Sequence, residues 1–273
     1  MKNPPAILGK IASQTVIRVT KAKEALPHEQ AQKQALALAE KEQAEKSAPL
    51  PFERSLSTPG LSFICEVKKA SPSKGVIAEH FPFLEIAQEY EEGGAAAISV
   101  LTEPEFFLGS GEYLQEIAAS VHIPVLRKDF IIDPYQIYEA KLWGAKAILL
   151  ICALLEQETL SSFLKTAEEL SLDCLVEIHS EAEAQEALAA GARIIGINNR
   201  DLTTFNVDGG LAMRLRKLIP QGILTVAESG IKSSDDIRAF KDTGVNAVLI
   251  GESLMRNADK RKFLRELSAA SAG

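Results

Sequence analysis

The stretch AKAILLI, residues 145–151, is apolar at every position from Ala147 to Ile151. A strand with one face in water alternates polar and apolar residues, so an unbroken apolar run indicates a strand buried on both faces, as in a parallel sheet. A helical segment follows at 156–170, and the next apolar run, DCLVEI, occupies residues 173–178. This order of strand, helix and strand predicts a parallel βαβ unit.

The same unit extends in both directions along the chain. Several helical segments are followed by Gly-Ala or Gly-Val, where glycine is expected to end the helix in a left-handed conformation. Eight repeats of about 25 residues predict an α/β fold, a closed (β/α)8 TIM barrel. An open doubly wound sheet is the alternative, but the GxGxxG turn that usually follows its first strand is absent. The other runs are LSFICEV (61–67), AAAISVL (95–101), HIPVLR (122–127), ARIIGIN (192–198), GILTVAE (222–228) and VNAVLIG (245–251), and the other helical segments are 83–92, 180–190, 207–218 and 233–241.

Residues 1–50 differ from the repeats and are predicted to form an N-terminal helical extension of a single domain spanning 1–273. Helices are expected at 5–25 and 28–47. Ile7, Leu8 and Ile11, together with Val16 and Val19, are expected to give the first helix an apolar face that packs on another element. The second is rich in Ala, Glu, Gln and Lys and is expected to be solvated, and Pro49 and Pro51 are expected to end the region.

Composition narrows the class of protein. The 273 residues include 30 basic and 37 acidic side chains, a net charge of −7, which argues against a nucleic-acid-binding face. Cys65, Cys152 and Cys174 lie far apart in apolar runs and are predicted to be buried free thiols in a reducing compartment. The first residues do not resemble a signal peptide, and no apolar run approaches the length of a membrane span. A cytoplasmic protein without membrane contact is expected.

Charged residues gather where the predicted strands end. Active sites of such barrels form at the carboxyl ends of the strands, and these positions hold Glu66 and Lys68, Lys128, Glu177 and Asn198. Glu66 and Lys68 are two residues apart and therefore point to the same face. Their convergence predicts acids, a base and a cation for an anionic substrate. The alternative is a set of plain ion pairs that tether the barrel rim.

The loops after strands 7 and 8 predict a phosphate site. Ser229 and Gly230 follow strand 7, and Gly251 and Glu252 follow strand 8. Glycine allows a ligand to approach the backbone closely, and a short helix after Gly251 would direct free N–H groups at an anion. Ordinary turns are the alternative. The segment 71–75 is expected to form a mobile loop over the mouth, and neither a metal site nor an organic cofactor is expected.

Six motifs in order resemble the indole-3-glycerol phosphate synthase family over residues 52–257. They are FICEVKKASPSKG (63–75), SVLT (99–102), LRKDFI (126–131), GINNRDL (196–202), AESGI (227–231) and LIGESLM (249–255). The resemblance implies conversion of 1-(2-carboxyphenylamino)-1-deoxyribulose 5-phosphate to indole-3-glycerol phosphate, CO₂ and water, a step of tryptophan biosynthesis. It implies a small phosphorylated substrate and no cofactor. A monomer is expected, and association with other tryptophan-pathway enzymes is considered.

The resemblance also implies residue roles. Lys128 corresponds to the general acid at the substrate carbonyl, Glu177 to the acid or base of the dehydration, and Lys68 to the lysine on the carboxylate or phosphate side of the substrate. Glu66 and Asn198 would orient these groups, and Ser229, Gly230, Gly251 and Glu252 would hold the phosphate. The residues that would line the rest of the substrate are Ser71, Phe107, Phe130, Leu149, Arg200 and Leu249.

This chemistry sets expectations for proton affinity. A lysine acid is expected to have a lowered pKa through burial and a neighbouring lysine, and the Glu177 carboxyl is expected to have a pKa raised towards neutrality. Two other functions stay open. One is another phosphate-binding barrel enzyme such as a phosphoribosyl isomerase. The presence of Lys68 and Lys128 at the strand ends argues against this alternative. The other is a non-catalytic barrel that binds a phosphorylated ligand.

Overall fold

Eight parallel strands among the described residues close into a barrel, in which the last strand hydrogen-bonds to the first to complete the ring. The computed structural model describes residue 2 and residues 4–43, 51–201 and 203–272. All eight predicted runs form strands, and the barrel prediction is confirmed. The strands are β1 (Ser62–Val67), β2 (Ala97–Leu101), β3 (Val125–Lys128), β4 (Ala147–Ile151), β5 (Asp173–Ile178), β6 (Ile194–Asn198), β7 (Leu224–Glu228) and β8 (Ala247–Ile250).

The strands are buried on both faces, as their unbroken apolar runs require. One face packs inside the barrel and the other packs under the ring of helices. The helices are α1 (Ala6–Ala25), α2 (His28–Gln43), α3 (Pro51–Leu56), α4 (Phe83–Gly93), α5 (Gly111–Ser120), α6 (Tyr135–Leu142), α7 (Gln157–Glu169), α8 (Glu181–Ala190), α9 (Leu211–Arg216), α10 (Ser234–Arg238), α11 (Glu252–Arg256) and α12 (Lys260–Ala272).

Two helices are shorter than the sequence predicted. The segment 207–218 becomes helical only at Leu211, because Val207 pairs with Arg200 in a β-bridge and Asp208 accepts a hydrogen bond from the Gly210 N–H. The segment 233–241 is helical only over α10, which begins with a capping box between Ser233 and Asp236. Glycines 94, 144 and 191 have positive φ at the ends of α4, α6 and α8, as predicted. Gly244 also has positive φ but lies beyond the end of α10 at Arg238, so it does not end that helix.

The first helix lies against the barrel mouth and is held there by a buried ion pair. Arg18 donates two hydrogen bonds to Asp129, at 2.9 and 2.7 Å. The Asp129 side chain has no solvent exposure and that of Arg18 is 26% exposed. Leu8 and Ile11, on the side of α1 that faces the barrel, are buried. The helical extension is therefore part of the wall of the mouth.

The prediction that the second helix is solvated is wrong. Ala31, Ala35 and Ala39 are fully buried, because α2 packs on α6 through this alanine row. Glu42 pairs with Lys141 and Lys146 at about the same level of the barrel, at 3.0 and 3.1 Å. Alanine has so small a side chain that a helix can bury a face without large apolar residues. The segment 44–47 and Pro49, also part of the prediction, lie outside the described residues.

Pro51 begins α3 instead of only ending the extension, as suits a residue that fits the first turn of a helix. All three cysteines are free, and Cys65 and Cys152 are buried as predicted, but Cys174 is only partly buried. Within the described ranges, no helix has the length and apolar character needed to cross a membrane.

Candidate active site

A cavity of about 660 Å³ opens at the carboxyl ends of the strands. The structure brings every site residue predicted from the sequence to this one cavity. They are Glu66, Lys68, Ser71, Phe107, Lys128, Leu149, Phe130, Glu177, Asn198, Arg200, Ser229, Gly230, Leu249, Gly251 and Glu252. The cavity also takes Ile7, Leu8 and Ile11 from α1 and Glu228 from β7, none of which the sequence placed in the site.

Lys128 is the centre of the charged floor. It is the last residue of β3, and its Nζ lies 3.1 Å from Oε2 of Glu177 on β5 and 3.2 Å from Oε2 of Glu228 on β7. The three side chains are 13%, 4% and 2% exposed, respectively. An ammonium group with two carboxylates is thus held in a nearly dry part of the barrel.

The expectation that Lys128 has a lowered pKa is wrong. Burial by itself lowers the pKa of Lys128, but the negative charges of Glu177, Glu228 and Glu66 outweigh burial and raise it. No lysine neighbour offsets them, since Lys68 forms its own ion pair with Glu66. Lys128 is therefore a fully charged proton donor before substrate arrives.

The carboxyl with the raised pKa is that of Glu228. The sequence analysis had expected it to be that of Glu177. Burial raises the pKa of Glu177, but Lys128, His179 and the nearby Asn198 side chain together lower it by more than burial raises it, so the net shift is downward. Burial and the neighbouring carboxylates of Glu177 and Glu66 raise the pKa of Glu228 to about 7, against the opposing charge of Lys128. Two lysines face three carboxylates, so one carboxyl lacks a full counter-charge and retains its proton most easily.

Glu228 also sits in an unusual packing position. Its Oε1 has no hydrogen-bond partner among the described residues. A Cβ atom added to Gly196 on the neighbouring strand β6 would lie 2.2 Å from this oxygen. Glycine at 196 is therefore the condition for the Glu228 carboxyl to turn inward towards Lys128.

A second ion pair connects the first strand to the loop after the last. Lys68 hydrogen-bonds to Glu66, which confirms that the two residues share a face. A Cβ atom at Gly251 would come within 2.4 Å of the Glu66 Oε2 and 2.8 Å of the Lys68 Nζ. The Lys68 ammonium consequently lies against the loop after β8.

That loop and the loop after β7 form the opposite wall. Ser229 and Gly230 have φ values of 65° and 90°, so two successive residues adopt the left-handed conformation and turn the backbone sharply. Gly251 begins α11, and no side chain caps the free N–H groups at this helix start. Two glycine-containing turns and an uncapped helix start thus face the cavity opposite Lys128.

Two aromatic rings form an apolar wall. The rings of Phe107 and Phe130 have centroids 5.9 Å apart. Glu103 fixes the first loop by accepting hydrogen bonds from the N–H groups of residues 105, 106 and 107, and Asp129 accepts one from the Phe130 N–H at 2.8 Å. These loop contacts set the rings in position to pack on a flat ligand.

The segment after β1 forms a small hairpin above the mouth. Ala70 and Ser71 pair with Val76 and Gly75 in an antiparallel ladder. Pro72, Ser73 and Lys74 at its tip are exposed and line the cavity rim. The hairpin lies where the sequence placed a loop over the mouth, and its motion stays a prediction.

The sequence analysis missed two titratable groups. Glu228 is the last residue of the β7 run, so the strand-end argument contained the signal for it. His179 comes just after β5, with its Nε2 3.6 Å from Oε1 of Glu177 and its Nδ1 3.5 Å from Oε2 of Glu183. The contact between His179 and Glu183 could not be predicted from their spacing, because Glu183 belongs to the following helix, α8.

A parallel barrel with lysines and carboxylates meeting at the carboxyl ends of its strands defines a (β/α)8 acid–base enzyme. The sequence model of indole-3-glycerol phosphate synthase matches residues 8–267. The chain therefore belongs to the indole-3-glycerol phosphate synthase family, whose members are decarboxylating lyases of tryptophan biosynthesis.

Two relatives span nearly the whole chain. The indole-3-glycerol phosphate synthase of Ruminiclostridium cellulolyticum is 52% identical over 265 residues, covering 97% of this chain and 100% of the relative. That of Endomicrobium trichonymphae is 55% identical over 261 residues, covering 96% and 99%. The family assignment removes the phosphoribosyl isomerase and the non-catalytic barrel from consideration.

Solved structures of distant proteins show the fold alone. The 3-hexulose-6-phosphate synthase of Salmonella typhimurium has a TM-score of 0.64 at 15% identity, covering 78% of this chain and 99% of that one. Thiamine phosphate pyrophosphorylase of Pyrococcus furiosus has a TM-score of 0.59 at 19% identity, covering 81% and 97%.

Proposed function

We propose that this cavity closes the indole ring of 1-(2-carboxyphenylamino)-1-deoxyribulose 5-phosphate, releasing CO₂ and water, and that its charged floor supplies the protons. The observation that supports these roles most directly is the contact of Lys128 with both Glu177 and Glu228, opposite two glycine turns. The floor provides proton donors and acceptors, and the turns provide backbone N–H groups for an anion.

Lys128 donates a proton to the substrate carbonyl oxygen as the aromatic carbon attacks the carbonyl carbon. Its high proton affinity in the empty cavity ensures that the ammonium form is present to do this. Glu66 and Asn198 orient the charged groups, Glu66 by its contact with Lys68 and Asn198 from its place beside Glu177, whose pKa it helps to lower. Asn198 is fixed in turn, because its Oδ1 accepts a hydrogen bond from the Arg200 N–H at 3.0 Å.

Dehydration follows decarboxylation. Glu177, ionised beside Lys128, takes the proton from the ring CH₂ group. The departing hydroxyl takes a proton from an acid on the floor, for which the Glu228 carboxyl is suited because its pKa is raised to about 7. This division gives the two carboxyls opposite tasks, in line with their opposite pKa shifts.

The substrate's two ends bind to different walls. Phe107, Phe130, Leu149 and Leu249 contact the aromatic ring, while Ser71 and Arg200 contact its polar groups. The phosphate binds at Ser229, Gly230, Gly251 and Glu252, and Lys68 adds a positive charge from the neighbouring strand. The Glu252 side chain cannot itself attract an anion, so its part in the phosphate site is through its backbone N–H.

In this proposal the active unit is a monomer of one domain spanning residues 1–273, and the single domain is supported by one cavity that residues from α1 to α11 line together. A cytoplasmic location suits a phosphorylated intermediate and three free cysteines. Association with other tryptophan-pathway enzymes stays a prediction. Size-exclusion chromatography with light scattering tests the monomer, and a mass of two chains or more contradicts it.

Indole fluorescence of the purified chain with the proposed substrate tests the function. Fluorescence should rise as the product forms, and its absence at any pH contradicts the proposal. In Glu177→Gln, ring closure and CO₂ release should continue while dehydration slows by about 10²-fold or more, so CO₂ appears before indole fluorescence. Unchanged kinetics in this variant refute the role of Glu177.

A further inference from the structure

His179 is a buried titratable group for which the proposed chemistry has no task. Its ring is 15% exposed and lies between two carboxylates, Glu177 at 3.6 Å from Nε2 and Glu183 at 3.5 Å from Nδ1. These separations are just beyond hydrogen-bond length, and such contacts in an empty site often tighten when substrate binds. His179 thus touches the catalytic floor from behind, through Glu177.

Behind this ring lies a second cavity of about 490 Å³. It is lined by His179 and Glu183 together with the loop after β6, including Asp201 and Asp208. Asn198, Arg200 and Val207 line both this side cavity and the substrate cavity and so separate them. The imidazole therefore connects Glu177 to a space that the substrate does not occupy.

The reaction requires a proton from solvent in every turnover. Two protons are delivered, one to the carbonyl oxygen and one to the departing hydroxyl, and one is recovered from the ring CH₂ group. The ionised substrate carboxylate leaves as CO₂ and returns none. One net proton therefore enters in each turnover, to restore a donor on the floor that has given its proton away.

We propose that His179 is the relay through which this proton enters, from the side cavity to Glu177 and then to Lys128. The neutral ring, with its hydrogen on Nε2, takes a proton at Nδ1 from the side cavity by way of Glu183, which lines that cavity. The imidazolium so formed gives its Nε2 proton to the Glu177 carboxylate, and tautomer exchange returns the remaining hydrogen from Nδ1 to Nε2 before the next turnover. Protonated Glu177 restores the Lys128 amine to ammonium across their 3.1 Å contact. The proposal rests on the proposed ring closure, and His179 acts through Glu177 and does not touch the substrate.

The charges around the ring favour this use. The groups that face it are Glu177 on β5, Glu183 on α8 and Glu228 on β7, all negative when ionised, and Asp201 interacts with it from the loop after β6. Burial lowers the pKa of His179, but the carboxylates of Glu183, Glu177 and Glu228 outweigh burial and raise it above its ordinary value. The carboxylates around the ring therefore favour the imidazolium form.

The test is His179→Gln, assayed by indole fluorescence with and without added imidazole. We expect kcat to fall by about 10²-fold with KM within a factor of about two, and imidazole diffusing into the side cavity to restore kcat in proportion to its concentration. A purely structural role for His179 cannot be replaced by a free base. The matched control is His122→Gln, whose ring is 96% exposed at a distant loop and whose kcat should stay unchanged with or without imidazole.

A second variant keeps the fold contacts of His179 and changes its proton affinity. Glu183→Gln retains an oxygen for the His179 backbone N–H but removes the negative charge beside Nδ1. The alkaline limb of the kcat profile should then move to lower pH. An unchanged kcat in His179→Gln, a loss that imidazole does not restore, or an unmoved limb in Glu183→Gln overturns the relay. An inactive wild-type chain would instead refute the ring closure itself, so the two failures are distinguishable.

Discussion

At the scale of single residues, the proton affinities of the floor depend on how many charges meet there. Lys128 stands among Glu177, Glu228 and Glu66, and its role as donor follows from that neighbourhood. The strand-end argument located the lysine from sequence. It could not order the pKa values of the two glutamates, because the order depends on the distances of Lys128 to each and on the extra contacts of Glu177.

Lys128→Ala tests the donor directly. Turnover measured by indole fluorescence should fall by about 10³-fold or more, while the dissociation constant of the substrate changes little, because the phosphate and aromatic walls remain. Lys146→Ala is the control, since that lysine pairs with Glu42 away from the cavity and should leave kcat intact. Substantial turnover in Lys128→Ala removes the general-acid assignment.

At the scale of elements, α1 and α2 are the parts that the repeats do not explain. The first helix was predicted to pack through Ile7, Leu8 and Ile11 with Val16 and Val19. The first three line the mouth and Val19 is buried, but Val16 is exposed. The ion pair of Arg18 with Asp129 could not be read from sequence, because the two residues are 111 positions apart. The burial of α2 was misjudged because alanine was counted as a surface residue.

Arg18→Met tests the attachment of α1. Removing one partner of a buried ion pair typically costs about 3–5 kcal/mol, so the free energy of unfolding in urea should fall by roughly that amount. Catalysis should weaken as well, since Asp129 fixes Phe130 and adjoins Lys128.

Lys23→Met on the same helix is the matched control. Its ion pair with Asp133 is 34% and 30% exposed, and such pairs contribute about 0–1 kcal/mol. Equal losses in the two variants contradict the idea that the Arg18 contact anchors the helix.

Ala35→Leu tests the alanine face of α2. Ala35 is fully buried against α6, so the larger side chain should overpack the contact and lower the unfolding free energy by about 1–3 kcal/mol. Hydrogen exchange of α2 amides should accelerate with it. Ala37→Leu, on the exposed side of the same helix, should change stability by less than about 0.5 kcal/mol. Similar effects of both substitutions refute a buried face.

At the scale of the whole molecule, the repeated apolar runs determined the barrel, and all eight strands appear where they were expected. Helix bounds near residues 207–218 were less accurate, since the Arg200–Val207 bridge is a tertiary contact without a local signal. The burial of charged side chains is the other property that could not be predicted from the sequence, because it depends on which ionisable groups the fold removes from water.

Stability should depend on pH through these dry groups. Burial raises the pKa of Asp173 to about 6 and, with its neighbours, that of Glu228 to about 7, so the folded chain binds protons more tightly than the unfolded chain at both sites. Their contribution is full below about pH 4 and is lost as pH rises through 6 to 7. The Asp129 carboxyl has a lowered pKa, because Arg18 and Arg127 outweigh burial, and its contribution is lost only as pH falls below about 4.

Urea unfolding should therefore show higher stability at pH 5.5 than at pH 8. The double variant Asp173→Asn, Glu228→Gln cannot ionise at these positions and should show a smaller difference between the two pH values. A wild-type curve that rises steadily from pH 5.5 to pH 8 contradicts this account.

The contact between Gly196 and Glu228 has a consequence for laboratory evolution of this barrel. The carboxyl oxygen of Glu228 occupies the space that a side chain at position 196 would need. The residues tolerated at position 196 therefore depend on the residue at position 228. A library that randomises position 196 while 228 stays glutamate returns almost only glycine. A library that varies both positions together also allows a larger residue at 196 with a smaller residue at 228. Such pairs would change the shape of the barrel floor.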